Sequence, residues 1–157
     1  MSFIRNLFRK GQPPPAPRSG MAIPLLERLS QSWTAHREEL VDQPSSQRRA
    51  GILALWRESI DRNAHDYADL VLGHPQREQI MELEVGAIMQ AYLCGVMARR
   101  GWVEMIEAQQ AHFVLGRALR DRLRGLGFPL ETLKLTIGTV IDEALGSIVQ
   151  LGLENVD

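Results

Sequence analysis

Cysteine is nearly absent from this chain. Cys94 is the only one in 157 residues, which rules out an internal disulfide and a thiolate metal cluster and makes a reducing cytoplasm the expected setting. An excess of charge is lacking too. A formal net charge of -1 gives no global reason to expect nucleic acid as a partner. No stretch keeps an apolar-polar alternation of period two long enough for a strand, and no internal repeat is visible, so sheet and solenoid folds are set aside. Gly-x-Ser-x-Gly, Gly-x-Gly-x-x-Gly and phosphate-loop patterns are missing, which leaves hydrolase, dinucleotide and nucleotide chemistry without their usual signatures. A Glu-x-x-His pair is missing as well, which weakens a di-iron bundle. Basic residues are nearly all arginine, a hint of a GC-rich, bacterial genome.

Long apolar runs are also few, and the one that exists organises the rest. Val85 to Ala98 has no charge and only Gln90 as a strongly polar residue. On a helix its apolar side chains go all the way round, the pattern of a segment buried on every side. At 1.5 Å per residue it reaches about 21 Å, short of the ~30 Å of a bilayer core, and Glu82, Glu84, Arg99 and Arg100 close its ends. It reads as a core helix. Ala87, Ala91, Gly95 and Ala98 line one side, where another helix backbone can come close.

The expected architecture is all-α, a single-domain bundle of about five helices (residues 22–152) around a central apolar helix at 76–100. A short amphipathic helix at 1–10 and a Pro-rich spacer at 11–21 precede it, and 153–157 form a tail. Ser2 to Lys10 place Phe3, Ile4, Leu7 and Phe8 in one sector and Arg5, Arg9 and Lys10 opposite. The apolar stretch there is too short for a secretory signal. The first twenty residues hold Arg5, Arg9, Lys10 and Arg18 without an acid, so the remainder carries -5.

Along the body, the first helix runs from Pro24 to about Val41 with Leu25, Leu29, Trp33, His36 and Leu40 inward. A serine after Pro44 caps a second, Gln47 to Leu72, with Ile52, Trp56, Ile60, Asn63, Tyr67, Leu70 and Val71 inward. His74-Pro75 opens the central helix, whose Glu78, Glu82 and Glu84 lie near the positive end of its dipole. Gly101 separates it from a fourth helix, Trp102 to Arg124. That helix has two apolar rows: Trp102, Ile106 and Phe113, and Met105, Ala108, His112, Leu115, Leu119, Leu123 and Leu126. Pro129 begins the last helix, with Leu130, Leu133, Ile137, Val140, Ile141, Ala144, Leu145 and Ile148 inward.

Four groups of residues carry chemistry worth weighing. Asp61, His65 and Asp69 share one helical face with metal-ligand spacing, but that face is opposite the apolar row, where carboxylates usually serve solubility. His36 and His112 fall on apolar rows and could line a pocket or bind haem if those rows meet; a satisfied core histidine is the commoner outcome. Arg117, Arg120 and Arg124 could form a basic patch for phosphate or an acidic partner, although cations in a last helical turn are favoured by the dipole alone and no recognition signature accompanies them. The N-terminal residues Phe3, Ile4, Arg5, Leu7, Phe8, Arg9 and Lys10 are the most specific signal, because large apolar side chains beyond a spacer call for a cover.

Two readings of function follow. The first is a non-enzymatic adaptor that docks a protein partner, tethered by its N-terminal segment to an anionic membrane or an assembly. It needs no cofactor and places the protein in the cytoplasm, with a peripheral membrane association. The second is a helical sensor or small enzyme holding a ligand or haem near His36 and His112. The surplus apolar surface of the fourth helix, with Gly138 and Gly146 on the weaker face of the last, suggests a homodimer.

Overall fold

From Gly86 to Ala98 every residue is buried, so the uncharged run is enclosed on all sides by other helices. The computed structural model describes residues 22–133 and 137–154. The segment 1–10 expected to be amphipathic, the whole of the spacer 11–21 and the end of the tail lie outside the described residues.

In chain order the helices are α1 (Ala22–Ala35), α2 (Arg37–Leu40), α3 (Ser46–Asn63), α4 (His65–Leu72), α5 (Arg77–Arg99), α6 (Met105–Gly125) and α7 (Ile137–Glu154), with a short 3-10 turn at Leu130–Thr132 before α7. There is no strand among the described residues. The fold is all-α. Helix α5 passes through the middle and packs most extensively on α7 and α6, while α3 lies on α7 and the short α1 leans on α6. By length and composition alone α5 could cross a bilayer, yet here its apolar surface faces the other helices.

Among the described residues seven helices stand where about five are expected, because two long segments are each broken without a glycine or proline at the break. The first interruption is His36, at φ -117° and ψ 24°. There the imidazole lies flat on the Trp102 ring, with centroids 3.7 Å apart and 2° between the planes. The helical bonds of His36 itself persist, its N–H donating to the Ser32 carbonyl oxygen and its own carbonyl oxygen accepting from the Leu40 N–H, both at 3.1 Å. The second is Ala64, at φ -143° and ψ 56°. Its N–H still closes α3 on the Ile60 carbonyl oxygen, and Asn63, expected inward, is exposed at that end. Beyond the break α4 buries Tyr67, Ala68 and Val71.

Other boundaries follow local chemistry. Ser45 caps α3, its hydroxyl accepting from the Arg48 N–H at 3.3 Å. Pro75 falls just before α5, and the His74 ring nitrogen Nδ1 accepts from the Gln76 N–H at 3.0 Å. Gly101 takes φ +79°, a left-handed conformation that glycine adopts without steric cost, and it separates α5 from α6 as expected. Trp102 to Glu104 stay outside α6, whose first turn is secured by the Glu107 carboxylate accepting from the Glu104 N–H at 3.4 Å. Pro129 starts no helix; the chain makes the 3-10 turn instead, burying Phe128 and Leu130, and α7 begins only at Ile137.

Backbone meets backbone where α5 crosses α7. A Cβ on Gly95 would overlap the Val149 carbonyl oxygen and lie 2.7 Å from the Leu153 nitrogen and 2.8 Å from the Gly152 Cα. A Cβ on Gly152 would lie 3.0 Å from both the Gly95 Cα and the Val96 nitrogen. Neither helix can accept a side chain here without moving the other. Helix α7 returns along α6 in antiparallel register, with Gly146 against His112, Asp142 against Gly116 and Gly138 against Arg120.

Gly95→Ala is therefore expected to cost about 3 kcal/mol or more, as overpacking at a rigid contact does. Gly51→Ala, which meets nothing within 4 Å, is expected to gain about 0.5–1 kcal/mol in the interior of α3. Urea unfolding of both variants checks the pair; an unchanged midpoint for Gly95→Ala would contradict the close crossing.

Candidate functional site

Helix α6 owes its place to the row Ala108, Ala111, Leu115, Leu119 and Leu123, all buried. Its opposite side looks outward. Ile106 is 55% exposed and Phe113 57%, and Met105 at the start of the helix is 49% exposed. Of the two apolar rows read on this helix, one is core at Ala108, Leu115, Leu119 and Leu123 but exposed at Met105 and half-buried at His112 and Leu126, and the other is surface, with Trp102 half-buried at its end. Large apolar side chains two helical turns apart on one face are the spacing that an amphipathic helix or a peptide groove uses to bind. Gln109, Gln110 and Arg117 share that outer face by helical phase, giving the apolar pair a polar rim.

The end of this surface is built from three elements. Ser32 of α1 donates its hydroxyl to the Trp102 carbonyl oxygen at 3.2 Å, Arg28 pairs with Glu107, and the Arg100 guanidinium lies 5.2 Å from the Trp102 ring centroid. Trp102 is thus held by both His36 and Arg100, and α1 runs antiparallel to the first turns of α6.

The remaining candidates lie apart from this surface and from one another. His36 is taken up by Trp102. His112 sits in the seam with α7, its ring 3.4 Å from where a Gly146 Cβ would be and 4.0 Å from the Phe113 ring by centroids. The two histidines do not line one cavity: one lies at the α1–α2 junction and the other two turns into α6, on the α7 side. A cleft of about 190 Å³ does exist elsewhere, where α3 breaks, between Arg62, His65, Asp66 and Tyr67 on one side and Leu133 and Ile137 on the other. His65 Nε2 lies 3.4 Å from Asp69 Oδ2 and Asp61 is exposed a turn away. Among the described residues no three His, Cys, Asp or Glu side chains come close enough to share a metal.

The three arginines of the basic row part company. Arg120 turns into the α6–α7 seam, where its Nη1 donates to Asp142 Oδ1 at 2.9 Å and to the Gly138 carbonyl oxygen at 3.4 Å. Burial pushes the Asp142 carboxyl above its usual range, and Arg120 opposes that. Arg124 donates to Glu131 at 2.8 Å and to Asp121 at 3.0 Å. Hydrogen bonding from Arg124 holds Glu131 below the usual carboxylate range. Arg117 is exposed.

One polar cluster was not legible in the sequence. Glu84, expected near the helix dipole, is buried, and Tyr67 of α4 donates its hydroxyl to Glu84 Oε2 at 2.6 Å. Burial raises the Glu84 carboxyl, while hydrogen bonds from Tyr67 and Trp56 and the charge of Arg57 pull it down. Burial, then the neighbouring Glu84, raises Tyr67 well above 10. The signal was there in phase: Glu84 falls four residues after Ile80 and four before Ile88, on a row that points inward. Nearby, Arg48 Nη1 donates to the buried Tyr92 hydroxyl at 3.2 Å. Burial pushes the Cys94 thiol up to about 12, so it stays protonated and unreactive. These groups join helices, and Tyr67 also borders the cleft at the α3 break.

No family model, curated protein or solved structure matches this chain.

A raised carboxyl adds stability that is complete below its unfolded value, near 4.5, and is lost as the pH rises through the folded value. Glu84→Gln is expected to flatten the fall in stability from pH 4.5 upward, and urea midpoints measured across that range check it. Arg120→Met is expected to cost about 1–3 kcal/mol, because it leaves a partly buried carboxylate unpaired, whereas the exposed Arg117→Met stays within about 0.5 kcal/mol. Equal urea midpoints for those two variants would contradict the seam pairing.

Proposed function

We propose that this chain is a non-enzymatic interaction protein whose helical body docks a protein partner through the outer face of α6, and whose N-terminal segment tethers it to an anionic membrane surface or a larger assembly. The observation that carries this reading is the exposure of Ile106 and Phe113, 55% and 57%, on a helix whose other side is fully used by the core. Each large side chain left in water forgoes about 1.5–3 kcal/mol of burial, and an apolar face with a polar rim is where a partner recovers it.

For the tether, the chemistry is that of Phe3, Ile4, Leu7 and Phe8 opposed to Arg5, Arg9 and Lys10. Burying four large apolar groups and ordering about nine residues nearly cancel. Anionic lipid, at about 1 kcal/mol per nearby basic residue, tips the balance.

Two measurements test the two halves. A photo-crosslinker at position 113 of the full chain is expected to trap one discrete protein in cells, and Ile106→Asp is expected to remove that product; trapping of nothing specific would sink partner docking. Flotation with vesicles rich in anionic lipid is expected to carry the full chain at low salt and less at physiological salt. Phe3→Asp combined with Phe8→Asp should abolish flotation with the helical signal unchanged, and equal flotation of that variant would rule out the membrane tether.

A further inference from the structure

Helix α1 tells where the N-terminal segment leaves the body. Arg28 pairs with Glu107, and Ser32 and His36 both meet Trp102, so α1 runs antiparallel to the start of α6. Six residues before Arg28 is Ala22, the first described residue, and six after Glu107 is Phe113. At 1.5 Å per residue both steps cover about 9 Å. The N-terminal end of α1 therefore points along α6 toward the level of Phe113.

The eleven residues from Gly11 to Met21 include four prolines. An extended Pro-rich chain covers about 3.1 Å per residue, so this spacer spans up to roughly 34 Å, and the whole outer face of α6 lies within reach. The segment beyond it carries Arg5, Arg9 and Lys10 and no acid, while residues 21–157 carry a net charge of -5. The spacing of Phe3, Ile4, Leu7 and Phe8 would put all four on one side if the segment were helical, a pattern suited to a helix-sized apolar face. Tethering through a short spacer supplies an effective concentration in the millimolar range, enough for a contact that would be negligible between separate molecules.

We infer that residues 2–10 dock on the outer face of α6 of their own chain, with Phe3, Ile4, Leu7 and Phe8 covering Ile106 and Phe113. This rests on the reading of that face as an interaction surface and adds its occupant: the chain masks its own docking face and its own tether in one contact. A partner or an anionic membrane must compete with that contact, so the two binding activities proposed for the protein are coupled through it.

Trypsin reads the contact directly in the full chain without vesicles or partner. Cleavage after Arg5, Arg9 and Lys10 is expected to be about tenfold slower in the parent than in Ile106→Asp combined with Phe113→Asp, while cleavage after Arg18, in the spacer, is equal in both. As a second measurement, Asn6→Cys with Gln109→Cys should be joined within one chain by a short bis-maleimide, Cys94 being sealed in the core. Equal cleavage at all sites in parent and double variant, or the absence of an intrachain cross-link, overturns the proposal. Protection that vanishes on dilution, with cross-links between chains, moves the segment to a second copy and also overturns it. Loss of vesicle flotation or of a trapped partner leaves the tryptic pattern standing, so failure of the broader reading is distinguishable from failure of this one.

Discussion

Gly95 and Gly152 touch without side chains between them, and the arrangement of the other helices depends on that contact. Because α5 is apolar all round, it needs neighbours on every side, and α7 can come near enough to seal its second half only where both helices are bare. Once α7 is seated, the seam it forms with α6 is set by the same economy of volume: Gly146 gives room to His112, and Gly116 to Asp142. Arg120 then reaches across to Asp142. Substituting one member of this series displaces the next, which is how a close-packed interior transmits strain.

A second constraint is polar. Glu84, Tyr67, Trp56 and Arg57 tie α3, α4 and α5 together around a carboxyl in a place where apolar side chains would also fit. A buried hydrogen-bonded carboxyl contributes little net stability compared with an apolar replacement, but it penalises any register in which its partners are missing. Helix α4 has only eight residues. Its position beyond the Ala64 break is therefore specified by one strong hydrogen bond together with the burial of Tyr67 and Val71.

The fold class and the central helix could be read from the sequence because they rest on periodicity and on the lack of charge over a long run. The Gly101 break and the Ser45 cap were legible for the same local reasons. What escaped was set by tertiary contact: the His36 break coincides with stacking on Trp102, sixty-six residues along the chain, and the Ala64 break has no glycine or proline to announce it. The candidate site divides in the same way. Two apolar rows were visible on α6, but which of them would face outward depended on where α5 and α7 lie. The buried role of Glu84 was hidden by its nearness to charged neighbours at the start of α5, where a carboxylate has an ordinary local explanation.

The order in which the chain is made gives the Gly95–Gly152 contact a further meaning. Helix α5 is synthesised well before its principal cover, and the residues between the two glycines take a ribosome roughly 3–11 s to add at 5–20 residues per second. During that interval the most apolar stretch of the chain has α1, α3, α4 and the nascent α6 to shield it, without α7. The protein is thus most exposed to aggregation and most attractive to chaperones late in its translation, and a stall or truncation before α7 would leave a helix with the composition of a membrane span and no second half of a core to enter.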